Sequence, residues 1–277
     1  MTQLINVDKN YLNGKWPKRQ NNSYKGSYGH ILVIAGNSQY GGAGILASSA
    51  AVYSGGGLVT LATDPSNFTA VHSTTAEVML INFMDFSELG NALKTATIVV
   101  IVPGLGLAAE SLRILRYVLE KINPVVPLII DGSAIDLIAD NQIKITHPKA
   151  VFTPHQMEWQ RLSGIKISNQ LPVANQAMVD QLDSIVILKH FQTEIYHPHG
   201  ERQKIIAGNP GMATGGSGDV LTGILATLIA QSDSLSLGIT LGTFLHSFVA
   251  DQIYETESVV LPHRLIQQVP KILKDLQ

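Results

Sequence analysis

The 277-residue sequence is 45% hydrophobic and 14% charged, which favours a globular protein with a large core over a disordered chain. Its net charge of -2 excludes an extended basic surface for nucleic acid, and the absence of cysteine excludes disulfides and thiolate chemistry. The N-terminus lacks the apolar core of a signal peptide, and the most apolar run, 220–230, is too short to span a membrane. We therefore expect a cytoplasmic protein that binds neither nucleic acid nor membrane.

Short apolar runs alternate with helical segments along the chain. The runs HILVIAG, GLVTLAT, ATIVVIV, VPLIIDG, KAVFTP and DSIVILK are typical of strands in a parallel sheet that is buried on both faces. Helices are predicted at 111–122, 173–182, 219–231 and 237–255. The later segment ILKHFQTEIYHPHGERQKIIAG alternates and turns as antiparallel edge strands do. Together they predict one α/β domain over 1–277, with a mostly parallel sheet between helix layers.

The first glycine-rich loop has the spacing of a dinucleotide-binding fingerprint. Gly42, Gly44 and Ala47 match G-x-G-x-x-A, and Asp64 ends the next strand as a ribose-binding acid would. A Rossmann dehydrogenase is therefore one alternative. Against it, six residues separate the strand from the fingerprint, which should begin in the tight turn. Close packing of a helix on the sheet is the simpler explanation of these glycines.

Two more loops follow predicted strands, where α/β sheets bind ligands. Gly104 and Gly106 leave room for a close ligand but also suit an ordinary turn. Lys189 and Thr193 offer a cation and a hydroxyl suited to phosphate, although a lysine after a strand is commonly just solvated.

The loop FTPHQMEWQRL predicts a helix start, with Thr153 as the N-cap and Gln156 completing a capping box. His155 and Glu158 are three apart and share a helix face. They could present two ligands to a metal, but an exposed ion pair between Glu158 and Arg161 is the more ordinary explanation.

The segment NPGMATGGSGDVLTGILATL places a glycine-rich turn before an apolar helix. The free N–H groups at such a helix start favour an anion such as phosphate. Asp219 stands directly behind Gly215, Gly216 and Gly218, where its charge would oppose that anion. Either Ser217 or Asp219 caps the helix, or Asp219 has a chemical task beside the bound anion.

Four segments closely resemble the ADP/ATP-dependent NAD(P)H-hydrate dehydratases, a family with the ribokinase-like fold: NPGMATGGSGDVLTG, TPHQMEWQRL, IVPGLG and the stretch from GSYGHILVIAG to GGGLVTLAT. The likeness runs over most of the chain, and the ribokinase-like superfamily at large shares only the G-x-G-D core. It implies a lyase that repairs the S epimers of hydrated NADH and NADPH with ADP, giving AMP and phosphate, or with ATP. It also implies a homo-oligomer such as a tetramer, with 1–24 as an N-terminal extension that has no other obvious task.

The resemblance also implies roles for individual residues, with Asp219 as the base that takes a proton from the C6 hydroxyl as this oxygen attacks the β-phosphorus of ADP. The implied substrate-binding residues are Ala43, Gly106, His155 and Asp219. The implied nucleotide-binding residues are Lys189, His190, Phe191, Gln192, Thr193, Gly216, Ser217 and Gly218. Mg²⁺ would bridge the phosphates, with Glu158 as its indirect anchor.

The chain departs from the family pattern at His190 and Met157, where a glycine is usual, and at Ser133, where an acid is common. His246 and Asp251 fit the pattern, but polar groups on a mostly buried helix are commonly satisfied internally. A ribokinase-like kinase that stops at a phosphate ester is an alternative function. A non-catalytic nucleotide-binding protein is another, although the acid at 219 argues against it.

Overall fold

The computed structural model describes residues 3–101 and 104–277, which form a single ten-stranded sheet between layers of helices. The strands are β1 Leu4–Val7, β2 His30–Ile34, β3 Leu58–Thr63, β4 Met79–Asn82, β5 Ile98–Ile101, β6 Leu128–Ile130, β7 Ala150–Phe152, β8 Ile185–Leu188, β9 Glu194–Tyr196 and β10 Arg202–Ile205. The helices are α1 Gly41–Tyr53, α2 Phe68–Thr74, α3 Phe86–Thr95, α4 Ala109–Lys121, α5 Ser133–Asp140, α6 Gln156–Ser163, α7 Pro172–Leu182, α8 Ser217–Gln231, α9 Leu235–Tyr254 and α10 Pro262–Leu276.

The sheet is mixed, with strand order β1-β10-β9-β8-β7-β6-β5-β2-β3-β4. β9 is antiparallel to β8 and to β10, and the other neighbouring strands are parallel. The predicted mostly parallel α/β fold is confirmed. The predicted antiparallel strands are β8, β9 and β10, and β1 pairs with β10 as one further strand on that side of the sheet.

Alternation along the strands divides the core into two layers, one on each face of the sheet. On β2, Ile31 and Val33 pack with apolar residues of α1, α8, α9 and α10. Leu32 and Ile34 point the other way and join the core made with helices α3 to α7. All four side chains are fully buried, as strands covered on both faces require.

Small residues let α1 and α8 pack closely on one face. A Cβ atom added at Gly223 of α8 would overlap the Ala47 carbonyl oxygen of α1 and come within 2.9 Å of Ala51 N. The helix axes can therefore approach each other only with glycine at this position. This contact fixes the start of α8 above the sheet.

The segment before Lys25 packs against the rest of the same chain. Residues 4–7 form β1, Leu12 is fully buried, and the Trp16 ring lies 6.3 Å from that of Phe244 on α9. This gives the segment a structural task that the sequence did not reveal. In the part of the chain that the structure describes, the helices are too short or too polar to cross a membrane.

Candidate active site

The carboxyl ends of β6, β7 and β8 meet the start of α8 around one cavity. Asp131 follows β6, His155 follows β7 by three residues, and Lys189 follows β8, so the parallel register brings the three side chains to the same edge. With the α8 turn above them they enclose about 790 Å³, within the usual range for a small-molecule site. Asp219 also lines this cavity.

The shape of the turn before α8 is set by the backbone conformation of Gly216 and not by a side-chain cap. Gly216 is the N-cap residue with φ 94°, a left-handed conformation that favours glycine, and no side chain caps the helix. The alternative in which Ser217 or Asp219 caps the helix is therefore wrong. The Ser217 N–H donates to the Thr214 carbonyl at 3.4 Å, whereas the N–H groups of Gly218 and Asp219 have no acceptor within the helix, and both residues line the cavity.

Two polar residues of α9 fix this turn and the segment leading to it. The Nε2 atom of His246 donates to the carbonyl oxygen of Ser217 at 3.0 Å, and burial lowers the pKa of His246 to about 4, so the ring is neutral at pH 7. The Asp251 carboxylate accepts the N–H of Gly208 at 3.0 Å and the side-chain amide of Asn209 at 2.8 Å. Both residues are satisfied internally, as the sequence led us to expect.

The helix after β7 begins two residues later than predicted. Thr153 is fully buried and does not cap it; His155 is the N-cap, and its Nδ1 accepts the N–H groups of Met157 and Glu158 at 3.1 and 3.2 Å. The Glu158 carboxylate accepts the His155 N–H at 2.8 Å in return. This reciprocal box holds both side chains at the cavity wall, and Nδ1 as acceptor leaves the imidazole proton on Nε2.

Glu158 is directed into the protein rather than towards Arg161. Arg161 donates to Asp136 at 2.7 Å, whereas Glu158 is 6% exposed with a carboxylate oxygen 3.9 Å from Lys189 Nζ. The predicted exposed pair between Glu158 and Arg161 is therefore wrong. Among the described residues, no group of three or more His, Asp or Glu side chains is placed to hold a metal ion by itself.

Lys189, whose side chain is 21% exposed, forms an ion pair with the buried Asp131, so the freely solvated lysine considered from the sequence is also wrong. Its Nζ donates to Asp131 Oδ1 at 2.6 Å, and Asp131 is 1% exposed. Burial acts to lower the pKa of Lys189, but the charges of Asp131 and Glu158 outweigh it and leave that pKa raised. The ammonium is therefore a permanent positive charge in the cavity wall.

Two carboxyl groups in the cavity titrate near neutral pH. Burial, supported by the charge of Asp131, raises the pKa of Asp219 to about 7, although Lys189 opposes the shift. Burial also raises the pKa of Glu158 to about 7 against the opposing charge of Lys189. A carboxylate with such a pKa is a far better proton acceptor than one exposed to water. Asp219 is thus suited to the role of base that the resemblance implies.

The structure brings most of the predicted site residues together and places two elsewhere. The cavity is lined by His155, Glu158, Lys189, His190, Phe191, Gln192, Thr193, Gly216, Ser217, Gly218 and Asp219. Ala43 and Gly106 do not line it. They flank the neighbouring loop after β2, where Gly106 has φ 81° beside the Asn37 amide and Ala43 lies next to Gly104.

Sequence reasoning missed cavity residues that carry no charge or catalytic pattern. Gly208, Asn209 and Ser247 all line the cavity, and the only local signal was that NPG immediately precedes the glycine turn. The dinucleotide-fingerprint interpretation is wrong, because Gly42, Gly44 and Ala47 lie inside α1 and not in a tight turn after β2. Gly44 and Ala47 pack closely against the sheet and α8, whereas nothing lies within 4 Å of a Cβ atom added at Gly42.

This fold and site define a class: an α/β enzyme of the ribokinase-like kind, with a glycine turn at a helix start followed by a buried acid. Comparison with known proteins narrows the class. Residues 31–271 match the family model described as NAD(P)H-hydrate dehydratase. The chain belongs to this family.

Individual relatives agree with the family match. The chain is 41% identical, over 97% of its length and 92% of the relative's, to an ADP-dependent (S)-NAD(P)H-hydrate dehydratase of Enterococcus faecalis. The crystal structure of a ribokinase-like superfamily protein from E. faecalis superposes with a TM-score of 0.95 at 40% identity, covering 99% and 96% of the two chains. An ADP/ATP-dependent NAD(P)H-hydrate dehydratase of Bacillus subtilis, co-crystallised with ATP/Mg²⁺, gives 0.87 at 25% identity, with 98% of both chains covered.

Proposed function

We propose that this protein is an ADP-dependent lyase that removes water from the S epimers of hydrated NADH and NADPH, with ATP as a second possible nucleotide. The observation that carries the proposal is the buried Asp219 carboxyl, with a pKa near 7, directly behind an anion-binding turn in one cavity. A carboxylate in that place would repel a bound phosphate. Its presence is explained if the reaction needs a base there. The names of the curated relatives supply the substrate and the nucleotide.

In the first step the C6 hydroxyl of the hydrated nicotinamide ring attacks the β-phosphorus of ADP. A new O–P bond forms, the bond to the α-phosphate oxygen breaks, and AMP leaves. Asp219 accepts the hydroxyl proton. The N–H groups at the start of α8 and the Lys189 ammonium stabilise the charge on the transferring phosphoryl group.

In the second step the ring nitrogen donates its lone pair, the C6–O bond breaks, and phosphate leaves. Transfer of the C5 proton to the departing phosphate or to water then restores the C5–C6 double bond of the reduced nicotinamide. The ring supplies the electrons, so the protein needs only to orient the ester and neutralise the departing phosphate. We assign His155 and Asp219 of the cavity, together with Ala43 and Gly106 of the neighbouring loop, to the binding of the ring, as the family resemblance implies.

The residues fit a Mg²⁺ ion held chiefly by phosphate oxygens and water. Asp131 Oδ2 is buried without a hydrogen-bond partner, and the Glu158 carboxylate lies nearby, so oxygen donors face the phosphate position even though no complete protein ligand set is present among the described residues. When bound, the ion would neutralise phosphate charge. Glu158 would be its indirect anchor, and the loop 189–193 would hold the nucleotide.

The activity is tested by incubating hydrated NADH with the protein, Mg²⁺ and ADP, and following the absorbance of the reduced nicotinamide. We expect recovery of NADH that requires both protein and nucleotide. A kinase would instead convert some other alcohol to a stable phosphate ester without recovery of NADH. Failure with both ADP and ATP, alongside such an ester, would overturn the proposal.

We further propose a cytoplasmic homo-oligomer, such as a tetramer. The absence of cysteine and the family resemblance support the location. The resemblance alone supports the assembly. Sedimentation of the purified protein at several concentrations tests it, and a single species at the monomer mass of 29.9 kDa would contradict it.

A further inference from the structure

Asp131 is a buried acid that takes no part in the proposed proton transfer, although its Oδ2 is one of the oxygens that would face a Mg²⁺ ion. It lies at the end of β6, is 1% exposed and lines the cavity. Its Oδ1 accepts a hydrogen bond from Lys189 Nζ at 2.6 Å. Its second oxygen, Oδ2, is buried and has no hydrogen-bond partner. A buried ion pair is weak evidence for stability, since desolvation offsets much of the attraction. The pair is therefore better explained by a functional role than by stability.

The Asp131–Lys189 pair lies directly beneath the glycine turn. A Cβ atom added at Gly218 would lie 3.2 Å from Lys189 Nζ and 3.5 Å from Asp131 Oδ2. Glycine at 218 thus leaves the ammonium open towards the N–H groups of the turn. An anion bound by those N–H groups would contact the ammonium from the other side.

We propose that Asp131 is a positioning residue that holds the Lys189 ammonium beneath the glycine turn, where it contacts the phosphates of the bound nucleoside diphosphate. This inference rests on the proposed function. A lysine side chain has four rotatable bonds, and fixing it before the ligand binds lowers the entropy cost of binding. Without Asp131 the nearest remaining carboxylate is Glu158, 3.9 Å away, which would draw the ammonium from under the turn.

The direction in which Asp131→Asn changes ADP affinity distinguishes a positioning role of Asp131 from a purely electrostatic one. If Asp131 acts only as a negative charge beside the phosphates, Asp131→Asn removes repulsion and ADP binds more tightly. If it positions Lys189, the same variant binds ADP more weakly. We expect the dissociation constant for ADP with Mg²⁺, measured by calorimetry, to rise about tenfold.

Two further variants make the test specific. Asp136→Asn removes an acid of α5 that also pairs with a cation, Arg161 at 2.7 Å, but outside the cavity, and we expect ADP affinity equal to wild type. In a Lys189→Met background, Asp131→Asn should cause no further loss, because the group that Asp131 positions is gone. The double variant also avoids an unpaired buried ammonium, so it keeps the test usable if Asp131→Asn alone does not fold.

Tighter or unchanged ADP binding in a folded Asp131→Asn protein would overturn the inference. So would a double variant whose ADP affinity differs from that of Lys189→Met. Since calorimetry needs no hydrated substrate, the result is independent of the dehydration assay. A wild-type protein that binds ADP but recovers no NADH would contradict the proposed function and not the role of Asp131.

Discussion

Asp219 illustrates what a sequence can and cannot say about a single residue. Its place behind Gly215, Gly216 and Gly218 singled it out, because a carboxylate there conflicts with a bound anion unless it has a task. Its raised pKa could not be predicted, since it depends on burial and on Asp131, which is distant in the chain. In the same way, the sequence placed Glu158 at the site but predicted an ion pair with Arg161, whereas its carboxylate lies 3.9 Å from Lys189 Nζ.

Asp219→Asn separates a base from a structural residue. Asparagine keeps the size of the side chain but cannot accept the hydroxyl proton, so we expect turnover to fall by about 10² to 10⁴. ADP affinity should persist or increase, because the backbone donors of α8 remain and a negative charge is gone. Steady-state turnover and calorimetry on one preparation check this. Near-normal turnover would contradict the assignment of Asp219 as the base.

The raised pKa of Asp219 also predicts a dependence of stability on pH. The folded protein holds this proton up to a pH of about 7, whereas the unfolded chain releases it near the ordinary value of 3.8. Between these two values the folded state binds more protons, so rising pH lowers the free energy of unfolding.

Asp219→Asn removes this loss of stability at rising pH, because asparagine does not ionise. We expect its melting temperature to exceed that of wild type at pH 8, and the advantage to shrink as the pH falls from about 7 towards 4. Thermal unfolding of both proteins across this range is the measurement. An advantage that is constant with pH would mean that the Asp219 carboxyl ionises normally in the folded protein.

At the scale of elements, continuous apolar runs were sufficient to identify the buried strands β2, β3, β5, β6, β7 and β8. They were not sufficient for β1 and β4, whose short segments LINV and MLIN contain polar residues and lie at the two edges of the sheet. The helix α10 was missed because Pro270 interrupts its pattern. Edge strands depend on pairing with distant partners, which a local pattern does not report.

Two helical glycines give a matched test of the packing between α1 and α8. At Gly223 an added Cβ would overlap the Ala47 carbonyl, whereas at Gly42 of α1 nothing lies within 4 Å. We expect Gly223→Ala to lower the free energy of unfolding by about 1 to 3 kcal/mol. Gly42→Ala should leave it unchanged or raise it by up to about 1 kcal/mol, since alanine favours helix. Urea unfolding compares them, and equal effects would mean that the helices are not in close contact.

At the scale of the whole molecule, the site depends on residues that only the folded sheet brings together. Asp131, His155, Lys189 and Asp219 come from four different elements, and the parallel register of β6, β7 and β8 sets three of them side by side. The motif GGSGD could therefore indicate phosphate chemistry, but not the ion pair beneath it. The burial of the segment before Lys25 against α9 could not be predicted either, because it depends on the fold and not on the residue pattern of that segment.

In the proposed reaction, phosphoryl transfer and elimination occur in one site, so that phosphate never remains on the product. The most direct measurement is the stoichiometry of the reaction of hydrated NADH with ADP, Mg²⁺ and the protein, with the products separated by chromatography. We expect equal amounts of NADH, AMP and inorganic phosphate, formed about 10² to 10⁴ times more slowly with Asp219→Asn. AMP formed together with a stable phosphorylated nicotinamide product, without NADH, would contradict it.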